Sequence, residues 1–197
     1  MAMDCARCKD KGCYNDGRDC FGLKEKSVEA YTEEELESMR VSGRIEADHY
    51  MKLTRLEELI LYAREMGYER LGIAFCIGFS KEAGLVARIL DEAGFQVHSA
   101  CCKICGIAKD QLGVKSMRDE GIESVCNPVG QAMHLGECGT QLNVILGLCI
   151  GHDALFTGRS SAPVTTLIVK DRVLAHNPAG AIYSRYYLEK RFNIHDE

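Results

Sequence analysis

GYERLGIAFC (67–76) is a glycine, a charged step and then an apolar run that stops at a cysteine. The residues before it, YAREM (62–66), suit a helix, so Gly67 reads as the cap that ends that helix and feeds a buried parallel strand. The same grammar recurs in GFQVHSACC (94–102), GIESVC (121–126) and GTQLNVILGLC (139–149). ILDEA and MHLGEC precede the second and fourth copies with helix-like composition, whereas the third follows SMRDE. If the strands are parallel, their terminal cysteines gather along one edge of one sheet. That is the edge where open α/β sheets bind ligands.

The flanking residues extend the same pattern. Residues 28–66 read as two helices. Thr32 and Glu35 form a capping box for the first, and Gly43 breaks the pattern. Leu53, Leu56, Leu59, Ile60 and Ala63 then recur at helical spacing. After the strand at 71–76, Gly78-Phe79-Ser80 turns the chain. Ser80 is expected to cap a helix with Ala83, Val86, Ile89, Leu90 and Ala93 inward. Strand 95–100 ends in CCKICG, and a strand at 122–126 precedes Asn127-Pro128, which opens another helix. Strand 143–148 runs into CIGHD (149–153), an echo of CIG at 76–78. A β-branched strand at 164–169 meets a Lys170-Asp171-Arg172 turn into 173–175, and a last helix spans about 180–192. Right-handed crossovers assemble these elements into an α/β fold, a Rossmann-like, mostly parallel sheet flanked by helices. The domain reading is a cysteine-rich, metal-binding knot at 1–27 and an α/β domain at 28–197.

The chain has 197 residues, 46% hydrophobic and 27% charged, with a net charge of −5. Nothing in that balance attracts nucleic acid or an anionic membrane surface. No apolar run approaches the roughly 20 residues that span a bilayer. MAMDCARC contains no apolar signal core, so a cytoplasmic location is expected. The phosphate loop G-x-x-x-x-G-K-[ST] and a G-x-G-x-x-G after the first strand are both missing, so nucleotide chemistry has no support. A redox partner or a small molecule is the expected partner class, and oligomeric state does not follow from the residues.

Eleven cysteines set the chain apart. In a reducing compartment, clustered cysteines bind metal or perform redox chemistry. Cys5, Cys8, Cys13 and Cys20 have the spacing C-x2-C-x4-C-x6-C within a segment that has little to bury. Four thiolates there suit zinc or an iron–sulfur cluster, and spacing does not choose between them. A second set is Cys101, Cys102, Cys105, Cys126, Cys149 and His152, with Cys76 as an outlying member. Adjacent Cys101 and Cys102 cannot easily serve one centre together, so one of the two is expected to face the core. Cys105, Cys126 and Cys149 are expected in one pocket. A rival is a Cys102–Cys105 dithiol pair in C-x-x-C spacing. Cys138 aligns with Ala93 and reads as a small core residue, and His98 and His176 carry weaker signals. Gly158 and Ser160-Ser161-Ala162-Pro163 suggest a mobile loop near the cysteine edge.

CARCKDKGCYNDGRDC (5–20), FCIGFSKEAG (75–84), SACCKIC (99–105), CNPVGQA (126–132), GLCIGHDALF (147–156) and SAPVTTLIVKDRVLAHNP (161–178) together resemble a family of uncharacterised cysteine-rich metal-binding proteins of anaerobic bacteria and archaea. The resemblance spans nearly the whole chain. It implies metal binding by Cys5, Cys8, Cys13, Cys20, Cys101 or Cys102, Cys105, Cys126, Cys149 and His152, with no established reaction. The functional expectation is an iron–sulfur or zinc protein whose sheet-edge centre performs redox or small-molecule chemistry, an oxidoreductase if it is an enzyme. The alternatives are a non-catalytic, zinc-stabilised module that senses or delivers metal, and a dithiol reductase. No catalytic residue follows from the sequence alone.

Overall fold

A computed structural model describes residues 4–195, which divide into two compact units at Asp48/His49. In the first unit, α1 (Gly12–Asn15) and α2 (Lys24–Ala30) lead to α3 (Glu33–His49). Thr32 and Glu35 form the expected capping exchange: the Thr32 amide donates to Glu35 Oε2 at 2.7 Å, and the Glu35 amide to Thr32 Oγ1 at 3.3 Å. Gly43 does not end this helix. Arg40 bridges Glu33 at 2.7 Å and Glu37 at 3.2 Å, and such ion pairs along the surface offset part of the glycine's helix cost of about 1 kcal/mol.

The second unit opens with α4 (Arg55–Glu65), whose start is fixed by a Thr54/Glu57 capping box and whose end is Gly67 at φ +69°. It continues with β1 (Arg70–Phe75), α5 (Ser80–Glu92), β2 (Gln96–Cys101), α6 (Pro128–Glu137) and β3 (Leu142–Leu146). α7 (His152–Arg159), β4 (Val164–Ile168), α8 (Ala179–Tyr183) and α9 (Arg185–Arg191) complete it. The four strands form one all-parallel sheet in the order β2-β1-β3-β4. Strand order reverses at β1, and the helices divide accordingly. On one face Leu59 and Ala63 of α4 and Ala83, Val86 and Leu90 of α5 pack on Leu71, Ile73, Leu142, Val144 and Leu146. On the other, Ala132 and Leu135 of α6 and Phe156 of α7 pack on Ala74, Ala100 and Ile145. Right-handed crossovers require this switch of faces when the order reverses. Leu71 and Ile73 are fully buried, each contributing about 1.5–3 kcal/mol of apolar transfer.

Five local expectations are revised. Residues 122–126 do not join the sheet; Ser124 bridges antiparallel to Ala108, flanked by Lys109 N–H to Glu123 O at 3.0 Å and Val125 N–H to Ile107 O at 2.8 Å. A parallel neighbour needs a covering crossover helix, and 103–121 holds only two 3-10 turns, so the segment pairs back on itself. Ser80 does not cap α5, because its hydroxyl donates backward to Ile77 O at 2.6 Å. The turn expected at Lys170-Asp171-Arg172 falls later, over residues 172–176, where Asp171 Oδ1 accepts the Val173 and Leu174 amides. The C-terminal helix is broken at Ser184, whose backbone is extended. The 160–163 loop enters the amino end of β4, so it lies at the sheet edge opposite the cysteines. There it is pinned, with Asn143 Nδ2 donating to Ser160 Oγ at 2.8 Å and Ser160 Oγ to Ala162 O at 2.7 Å. Among the described residues, no helix is long and apolar enough to cross a membrane.

The 103–126 excursion has its own lock. Lys109 and Glu123, both largely buried, meet at 2.6 Å, and Glu123 also accepts from Ser116 Oγ at 2.6 Å and the Met117 amide at 2.7 Å. Lys109 chiefly, then Ser116 and Met117, hold the Glu123 carboxyl down at about 2. A carboxylate depressed in the folded state contributes stability above its unfolded value of about 4.3, and that contribution is lost as pH falls toward 2. Amide exchange at Met117 should therefore accelerate between about pH 4 and pH 2 beyond its intrinsic pH dependence. In Glu123→Gln this extra acceleration should be absent, with Met117 less protected already at neutral pH. A wild-type profile that follows intrinsic exchange alone would refute the lock.

Candidate functional site

Parallel strands place Cys76, just after β1, and Cys102, just after β2, at one edge. Cys149 comes from the turn after β3, and Lys170 and Arg172 from the end of β4. The backbones interlock there. Cys76 N–H donates to Leu146 O at 3.1 Å, Cys102 N–H to Phe75 O at 2.8 Å and Gly147 N–H to Ile168 O at 2.7 Å. Cys126 arrives from the excursion, and Asn127 N–H donates to Cys102 O at 2.8 Å. Cys76 and Cys149 flank the β1–β3 junction, where strand order reverses and open sheets form their binding crevice.

Three of these four thiols meet cations. Lys170 Nζ lies 2.6 Å from Cys76 Sγ and 3.8 Å from Cys149 Sγ. Arg172 donates to Cys149 Sγ at 3.3 Å, and Lys103 Nζ lies 3.5 Å from Cys126 Sγ and 2.7 Å from Ser124 O. Cys126 and Cys102 sulfurs are 3.9 Å apart, and the Ile77 amide donates to Cys102 Sγ at 3.3 Å. Phe79 supports Lys170, whose ammonium lies 5.5 Å from the ring centroid, and His176 meets the same ring edge-on at 4.6 Å.

The electrostatics separate the thiols. Burial alone would raise the Cys76 thiol, but Lys170, the Gly78 amide and Cys102 outweigh it and its net shift is downward. Cys102 is 2% exposed; burial first, and then the neighbouring sulfurs of Cys126, Cys76 and Cys101, push it up to about 12. The hydrogen bond to Cys149 raises the Arg172 guanidinium above its ordinary value. His152 opens α7 and is held below its ordinary value, first by burial and further by Lys103 and Lys170, with Asp153 opposing. It is therefore neutral at physiological pH, with a ring nitrogen free to accept a proton or a metal.

α6 adds a buried polar group. Gln131 is fully buried and its Nε2 donates to Ala100 O at 2.7 Å and Phe75 O at 3.2 Å, tying β1 to β2 where they end. Its Oε1 has no partner among the described residues. The helix that carries it starts as expected, with Pro128 in the first turn and Asn127 Oδ1 accepting the Gly130 amide at 2.8 Å.

The other sequence candidates lie elsewhere. Cys101 ends β2 and is half-buried; of the adjacent pair it is Cys102 that lies in the core. Cys105 is exposed in a turn at φ +69° and makes none of these bonds. Cys138 caps α6 half-buried, 3.9 Å from His134 Nε2. In the first unit Cys5, Cys8 and Cys13 are exposed and Cys20 is half-buried. Local order there comes from Asp19, which accepts the Lys24 amide at 2.9 Å and those of Phe21 and Leu23 at 3.2 Å. Among the described residues no three His, Cys, Asp or Glu side chains are already arranged to hold a metal ion. Sequence reasoning missed Lys103, Lys170 and Arg172 and set Cys76 aside. A Lys-Asp-Arg run at the carboxyl end of a strand assigned to the ligand edge was the available signal.

The relatives of this cysteine-rich chain are themselves uncharacterised. No solved structure matches it significantly. It is 53% identical over 190 residues to the uncharacterised protein MJ0455 of Methanocaldococcus jannaschii, covering 95% of this chain and 97% of that protein. A family profile matches residues 17–167, which take in Cys20 and every sheet-edge cysteine. The chain therefore belongs to the family described as "Protein of unknown function (DUF1847)".

Proposed function

We propose that this is a metal-binding protein of the cytoplasm, with an iron–sulfur or zinc site at Cys5, Cys8, Cys13 and Cys20. A second centre at Cys76, Cys102, Cys126 and Cys149 then serves redox or small-molecule chemistry on a doubly wound, Rossmann-like sheet. The observation that carries the reading is the set of cations, Lys103 on Cys126 and Lys170 and Arg172 on Cys76 and Cys149, with Cys102 in contact with Cys126. Four thiolates around a divalent ion leave a net negative charge, and a partly buried centre needs such compensation. The donor set is soft, which suits zinc and iron. Cys102 and Cys126 sulfurs stand 3.9 Å apart, against about 3.8 Å for the edge of a tetrahedron with 2.3 Å zinc–sulfur bonds. Lys170 now bridges Cys76 and Cys149, so those two sulfurs close on an ion only after the ammonium swings aside.

Bound zinc would supply Lewis acidity, and an iron–sulfur cluster one-electron transfer. The chain's own groups do the rest. Lys170 and Arg172 donate N–H···S bonds that tune the thiolates, neutral His152 accepts or returns a proton, and Gln131 holds β1 and β2 in register. Anaerobic purification of the full chain, with iron, sulfide and zinc analysis and a visible spectrum, tests the reading. Stoichiometric iron with sulfide, or zinc, is expected. Metal should fall by about half on replacing Cys76 and Cys102 with serine, and by the other half on replacing Cys5 and Cys8. A colourless zinc protein whose metal survives changes at the sheet edge would favour a zinc-stabilised module. A protein that takes up no metal under reducing conditions would end the proposal.

A further inference from the structure

We infer that Cys102 and Cys126 form a dithiol–disulfide couple that exchanges two electrons with low-molecular-weight disulfides. Their sulfurs are in contact at 3.9 Å. A backbone bond also holds the two residues together: the residue after Cys126 donates its amide to the Cys102 carbonyl at 2.8 Å. A disulfide needs such proximity, since it spans Cα atoms about 4.4–6.8 Å apart. Access differs between the two sulfurs. Cys102 is 2% exposed, whereas Cys126 is half-buried and held by Lys103, which also fixes the preceding carbonyl of Ser124. The C-x-x-C partner, Cys105, is exposed in a turn and makes no bond to Cys102, so the spacing in sequence is not the pairing in space.

The chemistry follows from that asymmetry. Cys126, as its thiolate, attacks one sulfur of RS–SR; a mixed disulfide forms, and RS⁻ leaves and takes up the proton Cys126 gave. Cys102 then attacks the Cys126 sulfur, the protein disulfide closes and the second RS⁻ leaves with the Cys102 proton. Two protein thiols and one disulfide become one protein disulfide and two small thiols. The new bond ties off the 103–125 excursion, while Cys76 and Cys149 keep their bonds to Lys170 and Arg172.

The couple goes beyond the metal reading and does not depend on it. The test is to reduce the full chain, strip it of metal under nitrogen, expose it to oxidised glutathione and map the cross-links by mass spectrometry after proteolysis. A Cys102–Cys126 linked peptide, reversed by dithiothreitol, is expected. In C102S the reaction should stop at glutathione bound to Cys126, and in C126S neither species should form at these positions. Wild-type protein in which Cys102 pairs with Cys105 or Cys76, or in which Cys102 and Cys126 both stay free, would overturn the couple. Uptake of no metal together with the mapped link would fail the metal reading and leave the couple standing. Stoichiometric metal with no link in the oxidised apoprotein would do the reverse.

Discussion

Gly147→Ala should cost the second unit about 3 kcal/mol and disorder the cation at its centre. Gly147 follows β3 at φ +61°, a conformation that costs an L-residue about 1–2 kcal/mol. A Cβ there would lie 2.1 Å from Phe79 Cε2, and Phe79 is 5% exposed with little room to yield. Overpacking of that kind adds about 1–3 kcal/mol. The same ring supports Lys170 and meets His176, so displacing it loosens the ammonium that pairs with Cys76. Urea unfolding should show a lower midpoint at unchanged slope. A double-mutant cycle isolates the cause: in a Phe79→Ala background, adding the Gly147 change should cost only the backbone strain. An undiminished cost in that background would show that the ring contact is not the origin.

Much of the sheet was legible because local rules agreed. Gly67, Gly94 and Gly139 all adopt positive φ at the junctions into β1, β2 and β3, and the apolar runs of β1 and β3 are buried, while β2, at the edge of the sheet, is only partly so. The third Gly–apolar–Cys copy shows where such reasoning fails. Gly121 also has positive φ, yet Ile122 is 80% exposed and the segment pairs antiparallel with Ala108. Its preceding residues, SMRDE, carry no apolar stripe to cover a sheet. A strand pattern without a crossover helix has no parallel neighbour to join. Gly43 erred in the other direction, since surface ion pairs carried α3 across a position that propensity disfavours.

The site was legible as an edge but not as a set. Cysteines at strand ends predicted where thiols converge, and Cys102, Cys126 and Cys149 are found there. Cys76 was undervalued because strand order is a tertiary fact: only the order β2-β1-β3-β4 makes the end of β1 the middle of the edge. The cations escaped for a related reason. Lys170 and Arg172 resemble turn residues until β4 is placed beside β3, after which they face Cys76 and Cys149. Lys103 lies inside CCKIC, and only the fold of the 103–126 excursion brings Cys126 and the Ser124 carbonyl to its ammonium. The 160–163 loop was assigned to the wrong edge because its small polar residues suggest mobility. In a parallel sheet, however, a helix-to-strand connection must return to the amino edge.

The second large effect, at Gly72→Ala, reaches that amino edge through Asn143. Gly72 sits in the middle of β1 between His98 of β2 and Asn143 of β3. A Cβ would fall 1.9 Å from Asn143 Oδ1 and 3.1 Å from Leu135 Cδ1. Asn143 cannot easily turn away. It is fully buried, its Oδ1 accepts from Thr140 Oγ1 at 2.8 Å and its Nδ2 donates to Ser160 Oγ. Rotating it strands buried polar atoms at about 1–3 kcal/mol each, and the inserted methyl adds overpacking. A total of about 3–5 kcal/mol is expected, roughly a 10 °C fall in Tm for a unit of this size. The effect should reach the thiols. Asn143 N–H also donates to Pro163 O at 2.9 Å, so the loop that aligns β4 loosens, and with it the strand carrying Lys170 and Arg172. The check is again a cycle. Asn143→Ala alone is destabilising because Thr140 and Ser160 each lose one of two partners, but combined with Gly72→Ala it should cost clearly less than the sum of the two changes. Additive costs would mean that Gly72 is required for something other than room for the asparagine.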